Sequence, residues 1–368
     1  MSNGLRCLWH VASRGSENQG LKGLRVAGIG SFIFVLFYLF LSLASAVSAF
    51  GQEPFYKGKA IRVIVGASAG GGYDTYSRTI ARHMGKHIPG NPAIIVDNMP
   101  GAGFLISANH VYKVAKPDGL TIGHFIGGLF LQQFLSLRPG MEFDSRKFEF
   151  IGAPAQDNYA LGIAKATGIT SMEQWLSSKT VVKLGGVGPG SATDDIPKVL
   201  AATIGLPIQL VTGYKGTADI RLAFHSGEVQ GVCNAWESFK ATWSKELAAG
   251  ELNIVAQNIP KPHPDLPKVP LVINFAKTDE ARKIIQAVVH SVGPTARPYV
   301  LPPGTPKERV EILRKAFMAT MKDPEFLADA QKAKLDVNPL DGAELERNVK
   351  EVFNLDAALV PKAREFLK

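Results

Sequence analysis

Cysteine is nearly absent from this chain: its 368 residues hold two, Cys7 and Cys233. Cys7 lies ahead of an apolar N-terminal stretch that is expected to be removed, which leaves one thiol. That excludes an intramolecular disulfide and a cysteine zinc cluster, so the core must hold the fold. Also missing is any long Lys/Arg run with interleaved aromatics. The net charge of +9 therefore points to a small anionic ligand rather than to nucleic acid. Past residue 50 no apolar run approaches the ~20 residues that cross a bilayer, and there is no low-complexity segment or short-period repeat. The remaining composition, 46% hydrophobic and 20% charged, is that of a globular protein with room for two domains.

At the N-terminus, Arg6, Arg14, Lys22 and Arg25 precede an apolar run from about Ala27 to Leu43, and small residues follow at Ala44 to Ala49. A basic region, an apolar region and Val47-Ser48-Ala49 predict a secretory signal over residues 1–49, cleaved before Phe50. An uncleaved anchor is the alternative. The absence of cysteine after the small residues argues against a lipid anchor, and the expected compartment is the periplasm.

The stretch that organises the rest is Ile61 to Arg78. Ile61, Val63, Ile64 and Val65 predict a buried strand. Gly66, Ala67, Ser68, Ala69, Gly70, Gly71 and Gly72 form a loop with almost no side chain to shield the backbone. Tyr73 follows, then Asp74 at an expected N-cap position, and Ser77, Ile80, Ala81 and Met84 continue at helical spacing. A strand, a stripped loop and a helix start predict a concavity of free N–H groups suited to a carboxylate or phosphate.

The design recurs. Thr180 to Leu184 predicts a strand and Gly185-Gly186-Val187-Gly188-Pro189-Gly190 a loop, with Ser191 and Ala192 leading to Thr193 or Asp194 as the cap of a helix over Ile196 to Ile204. Between the two, strands at Ala93–Val96 and Leu120–Phe125 and a helix near Leu105–Val114 complete a strand–helix alternation that implies a parallel sheet. Asp97 to Gly103 is a further glycine-rich turn. Tyr214, Lys215, Gly216 and Thr217 lead into another helix, and Asn234, Trp236 and Glu237 end a strand at Val229–Cys233. Amphipathic helices dominate from Glu280 onward. Two similar α/β halves, each with a glycine loop at a strand end, predict a cleft gripped from both sides.

Other chemistries fit less well. Gly186, Gly188 and Gly190 lack the dinucleotide spacing, and no Lys-Ser/Thr follows either loop as a triphosphate site needs. Gly66-Ala67-Ser68-Ala69-Gly70 matches a nucleophile elbow, but the helix starts too late after Ser68 and neither His263 nor His290 has a persuasive setting. His83 and His87 stand four apart as metal ligands do, yet Arg82 and Lys86 flank them and no third ligand is spaced for a site. No metal, cofactor or catalytic residue is expected. Arg78 reads as a surface charge, and Trp236 as either core or cleft wall.

IRVIVGASAGGGYDTYSRTIARHM, then IIVDNMPGAGFLISANHVYKVAKPDGLTIG, resembles the tripartite tricarboxylate transporter substrate-receptor family, the Bug or TctC-like periplasmic binding proteins. Gly188–Ser191, Tyr214 to Thr217, Gly227-Glu228-Val229, Leu266 to Pro270 and Pro302 to Pro306 follow in the family's order. The resemblance implies an α/β, two-domain Venus-flytrap fold of type II, each domain a mixed sheet flanked by helices. One domain would comprise 50–155 plus 258–368 and the other 156–257. It implies that Gly66 to Asp74 and Gly188 to Asp194 grip the ligand's carboxylates, with Tyr214, Lys215, Gly216, Thr217 and Asn234 lining the cleft. It also implies a di- or tricarboxylate or aromatic acid ligand, a monomeric receptor, and the membrane components of such a transporter as partners. A solute sensor without a transporter is an alternative with the same cleft. The chain departs from the family at Gly66-Ala67-Ser68, at Thr193-Asp194 and at Asn234, all in the expected ligand shell.

Overall fold

The computed structural model describes residues 53–368. The predicted signal and its cleavage point lie outside the described residues. Residues Phe55–Lys368 form one compact unit, and within it the strands assemble into two mixed sheets. β1 (Ala60–Val65), β2 (Ala93–Asn98), β3 (Thr121–His124), β4 (Glu149–Ala153), β10 (Tyr299–Leu301) and β11 (Leu340–Asp341) form the first, in the order β11-β4-β10-β3-β1-β2. β5 (Tyr159–Ala164), β6 (Val182–Gly186), β7 (Ile208–Thr212), β8 (Gly231–Ala235) and β9 (Leu252–Gln257) form the second, in the order β7-β6-β8-β5-β9.

β1 pairs in parallel with both β2 and β3, while β10 and β11 run antiparallel to their neighbours. In the second sheet β6 is parallel to β7 and β8, and β5 is antiparallel to β8 and β9. This is the two-sheet α/β architecture expected from the strand–helix alternation. The parallel parts follow from helical crossovers, and their strands are correspondingly apolar on both faces. Ile61, Ile64, Val65, Val182 and Leu184 are fully buried. The chain passes between the sheets at 154–158 and again over 258–298.

Helices cover both sheets. Asp279–His290 and Val360–Leu367 pack on the helix Ala192–Ile204, beside the second sheet, although both come from the C-terminal part of the chain. Ser171 caps the helix Met172–Ser177, its hydroxyl accepting from Gln174 N at 3.2 Å. The two caps expected at Asp74 and at Thr193 or Asp194 are corrected. The first-loop helix begins at Gly72 with Gly71 as N-cap, and the second-loop helix at Ala192 with Ser191 as N-cap. Asp74 and Asp194 therefore stand inside the first turn. From there their carboxylates reach back to their own loops, as the acidic member of a capping box does.

Candidate functional site

Both glycine loops leave the C-terminal end of a parallel strand, where open α/β sheets place their ligand crevices. The first loop follows β1 and the second follows β6. Each is bonded to elements that belong with the other sheet. Ser68 Oγ donates to Asp219 at 2.5 Å, and Ser68 N donates to the Lys215 carbonyl at 3.1 Å. Arg138 donates to the carbonyls of Ala102 and, at 2.6 Å, of Pro189, tying the second loop to the Asp97–Gly103 turn. Gln132 Nε2 donates to Asp195 at 2.8 Å. These contacts close the two sheets on a small cavity of about 40 Å3.

Nine of the residues singled out from sequence line this cavity: Ala67, Gly71, Gly72, Tyr73, Ser191, Ala192, Thr193, Thr217 and Asn234. The others lie elsewhere. Gly66 packs on Phe104 and Ser107, and Ala69 and Gly70 are exposed. Ser68 and Gly216 form the contact between the loops. Gly188, Pro189 and Gly190 pack against Gly103, Leu129 and Gln132. Tyr214 donates to Glu228 at 2.7 Å, Lys215 is exposed, and Trp236 Nε1 donates to Asp265 at 2.9 Å. His83 and His87 reach Asp329 and Asp323 across a helix pair.

The expected row of free loop N–H groups is only partly present. Gly70 N donates to Asp74 at 2.9 Å, Gly188 N to Asp194 at 2.7 Å, and Gly190 N to Asp195 at 3.1 Å. The protein's own carboxylates thus occupy those three donors. What remains toward the cavity are first-turn amides at Gly71 and Gly72 and at Ala192 and Thr193, which have no acceptor among the described residues.

The two loops differ in charge. Asp74 receives Arg78 Nε at 2.9 Å and Asn98 Nδ2 at 2.9 Å. Burial alone would raise its pKa, but the bonds from Arg78, Gly70 and Asn98 outweigh burial and hold it below the usual carboxylate range. Asp194 and Asp195 make no ion pair among the described residues. Asp194 accepts from Gly188 N, Ser191 Oγ, Thr193 Oγ1 and Thr212 Oγ1. Asp195 is pushed up to about 7 by burial, against the bonds from Gln132 and Gly190.

The sequence reading missed the residues that give the cavity its chemistry. Arg297, fully buried, forms an ion pair with Asp157. It also donates to Ser238 Oγ at 2.8 Å and lies over the Tyr73 and Tyr76 rings at 4.8 and 4.6 Å. Burial would lower its pKa, but Asp157 more than reverses this and keeps the guanidinium charged. Among the described residues its Nη1 has no hydrogen-bond partner, and neither has Asn234 Nδ2; both atoms are buried and both residues line the cavity. A buried donor without an acceptor costs about 1–3 kcal/mol, more when charged, so two converging on one cavity call for an acceptor there. Gly72 makes room: a Cβ on it would lie 2.1 Å from Ser238 Oγ and 3.5 Å from Arg297 Nη1.

The other missed wall is apolar and comes from Phe104, Ile126, Tyr159, Val187 and Cys233. Phe104 holds a left-handed backbone with φ of 66°, a strained state of the kind that collects at ligand sites, and its ring packs on Tyr73 at 5.1 Å. Burial pushes the Cys233 thiol well up, so it stands there as a neutral, small group. No sequence signal marked Arg297 or Asp157. They are 140 residues apart, in a loop before β10 and at a crossing between the sheets. Ser68, tested as a nucleophile, has a carboxylate and not an imidazole as its partner.

Among the described residues, no helix is long and apolar enough to cross a membrane. A family model described as the tripartite tricarboxylate transporter family receptor matches residues 77–364. The chain is similar to a curated relative from Cupriavidus necator, described as a UPF0065 protein in the gbd 5′ region. The two are 23% identical over 323 residues, covering 86% of this chain and 91% of the relative. Its fold is similar to that of the periplasmic binding protein BugD, with a TM-score of 0.69 at 23% identity, covering 84% of this chain and 98% of that one. It is similar also to MatC from Rhodopseudomonas palustris with bound malate, with a TM-score of 0.67 at 19% identity, covering 84% of this chain and 99% of that one.

Proposed function

The chain belongs to the tripartite tricarboxylate transporter receptor family, and from that premise we propose that it captures a small carboxylate solute in the periplasm and delivers it to the membrane components of such a transporter. The observation that carries this reading is the pair of unpartnered buried donors, Arg297 Nη1 and Asn234 Nδ2, on the wall of the cavity between the sheets. Taking a carboxylate out of water is costly unless charge-assisted hydrogen bonds replace its hydration. Those two donors, with the first-turn amides of Gly71 and Gly72 at the positive end of a helix dipole, supply such bonds.

Binding and release then follow from the two lobes, proposed as 50–155 with 258–368 and as 156–257. The ligand enters an open form and contacts both lobes as they close on the small cavity of about 40 Å3. Ligand contact with both lobes shifts the population toward the closed state, and the Ser68–Asp219 and Arg138–Pro189 contacts form only then. Opening against a membrane partner breaks them and releases the solute.

Thermal unfolding of the purified protein against a panel of mono-, di- and tricarboxylates tests this. A true ligand at a hundred times its Kd adds about 2.7 kcal/mol of stability. Failure of every carboxylate to shift a well-folded protein overturns the reading. Export is tested separately: the protein recovered from the periplasm should begin at Phe50.

A further inference from the structure

Asp195 stands where elements of the two sheets press on each other. It lies in the first turn of the second-loop helix, is buried, and accepts from Gly190 N of its own loop. Its other donor is Gln132 Nε2, 2.8 Å away on the helix Gly128–Phe134, which follows β3 of the first sheet. The approach is tight. A Cβ on Gly128 would lie 2.0 Å from the Gly190 carbonyl oxygen, and one on Gly190 would lie 3.1 Å from Leu129. Beside Asp195 is a cavity of about 20 Å3 lined also by Ile126, Leu131, Ile196, Val288 and Val292.

No ion pair serves this carboxylate among the described residues. Arg138, beyond the helix that carries Gln132, gives its guanidinium to the carbonyls of Ala102, Gly103 and Pro189. Lys198 donates to the Lys368 carbonyl at 3.2 Å, and it shares an outer groove with Glu280, Lys362 and Glu365 of the neighbouring helices. Asp194 adds like charge. Tyr159 on the cavity wall and His290 on the helix packed alongside are both biased by burial toward their neutral forms. The helix Gly128–Phe134 and strands β7 and β8 carry no charged side chain, and Lys183 of β6 is exposed.

Gln132 adds a second observation. Its Oε1 is buried and has no donor among the described residues. A proton on Asp195 supplies one, because the amide can turn over and accept the carboxyl O–H. Burial pushes Asp195 up to about 7 against the bonds from Gln132 and Gly190. Parted from Gln132 and hydrated, the carboxyl returns to its ordinary value near ~4.

Resting on the two-lobe receptor reading above, we infer that a proton is a second ligand of the closed form, held between Asp195 and Gln132. Closing takes it up and opening returns it to water. The closed form binds more protons, so closure is most favoured below about pH 4 and weakens as pH rises to about 7. The solute is captured together with a proton that does not touch it, and opening frees both.

Disulfide trapping in the ligand-free protein tests this. A Cβ on Gly70 would lie 3.9 Å from Ala218 Cβ, a separation that suits a disulfide. Gly70→Cys with Ala218→Cys therefore reports how often the first loop and the helix Thr217–His225 come together. Cys233 is buried and out of reach. Trapping rates are compared with and without Asp195→Asn, whose neutral amide imitates the protonated carboxyl. At pH 8 the Asp195→Asn protein should be trapped at least ten times faster, and the ratio should shrink as pH falls toward 5. Thiol reactivity and the left-handed backbone at Gly70 are common to both proteins and cancel in the ratio. A ratio near one at pH 8 overturns the inference. So does a ratio that does not change with pH, which would make the substitution a packing effect. Trapping in neither protein means that the closed contact is not visited in solution, and overturns it as well. None of these outcomes touches the receptor reading, which the carboxylate panel decides.

Discussion

Gly66–Asp74 and Gly186–Asp195 occupy equivalent places at the ends of β1 and β6, yet their carboxylates have opposite surroundings. Asp74 is held ionised by Arg78 and Asn98, and the loop it closes faces a guanidinium with a spare donor. Asp194 and Asp195 sit among amides, hydroxyls and Gln132, and burial holds Asp195 up to about 7. A shared backbone motif is therefore no guide to its electrostatic role. The first loop's carboxylate is balanced by a cation, whereas the second loop's two carboxylates are held by amides and hydroxyls without one.

Replacing Arg297 attacks this asymmetry most directly. Arg297→Met leaves Asp157 buried without its partner, and a broken buried pair costs about 3–5 kcal/mol. Urea unfolding should show that loss, and a loss under 1 kcal/mol would mean that the pair is not desolvated. Next in size is the contrast between the loop carboxylates. The folded pKa of Asp195 lies above its unfolded value near 4, so its contribution is present below pH 4 and is lost as pH rises to about 7. Asp74 behaves oppositely: its pKa is lowered, so its contribution is present above pH 4 and is lost as the solution turns more acid. Asp195→Asn should accordingly stabilise the protein at pH 8 by about 2–4 kcal/mol and flatten its stability between pH 4 and 7. Asp74→Asn should destabilise it at pH 7 by about 1–3 kcal/mol. The same sign in both variants would erase the distinction between the loops.

Steric variants sharpen the contrast further. A Cβ at Gly72 meets Ser238 at 2.1 Å, and overpacking costs about 1–3 kcal/mol. Gly72→Ala should lose ligand binding together with some stability. For a Cβ at Gly71 the nearest atom is Thr217 Oγ1, at 3.0 Å and from a helix beside the second sheet, and the backbone is extended. Gly71→Val should weaken binding by opposing closure, with the unfolding midpoint of the free protein shifted by under about 0.5 kcal/mol. The smallest effect belongs to Ser68→Ala, which removes a half-buried hydrogen bond to Asp219 and should cost about 1 kcal/mol or less. It is read best as a faster ligand off-rate.

Local sequence signals made a good part of this protein legible. The β-branched run at Ile61–Val65, the glycines that follow and the helical spacing after Tyr73 determine a strand, a loop and a helix start, because propensity and periodicity act over neighbouring residues. The same holds after Val182, and the strand–helix alternation then determines parallel pairing. Helix starts were displaced by a turn at Asp74 and Asp194, because a carboxylate that reaches back from the first turn leaves the same pattern as one that caps. Tertiary structure alone decided which loop donors stay free, since Asp74, Asp194 and Asp195 compete for them in three dimensions. It alone brought Arg297 to Asp157 at the cavity wall and left its Nη1 unpartnered among the described residues, because pairing and desolvation depend on how the sheets close and not on spacing along the chain.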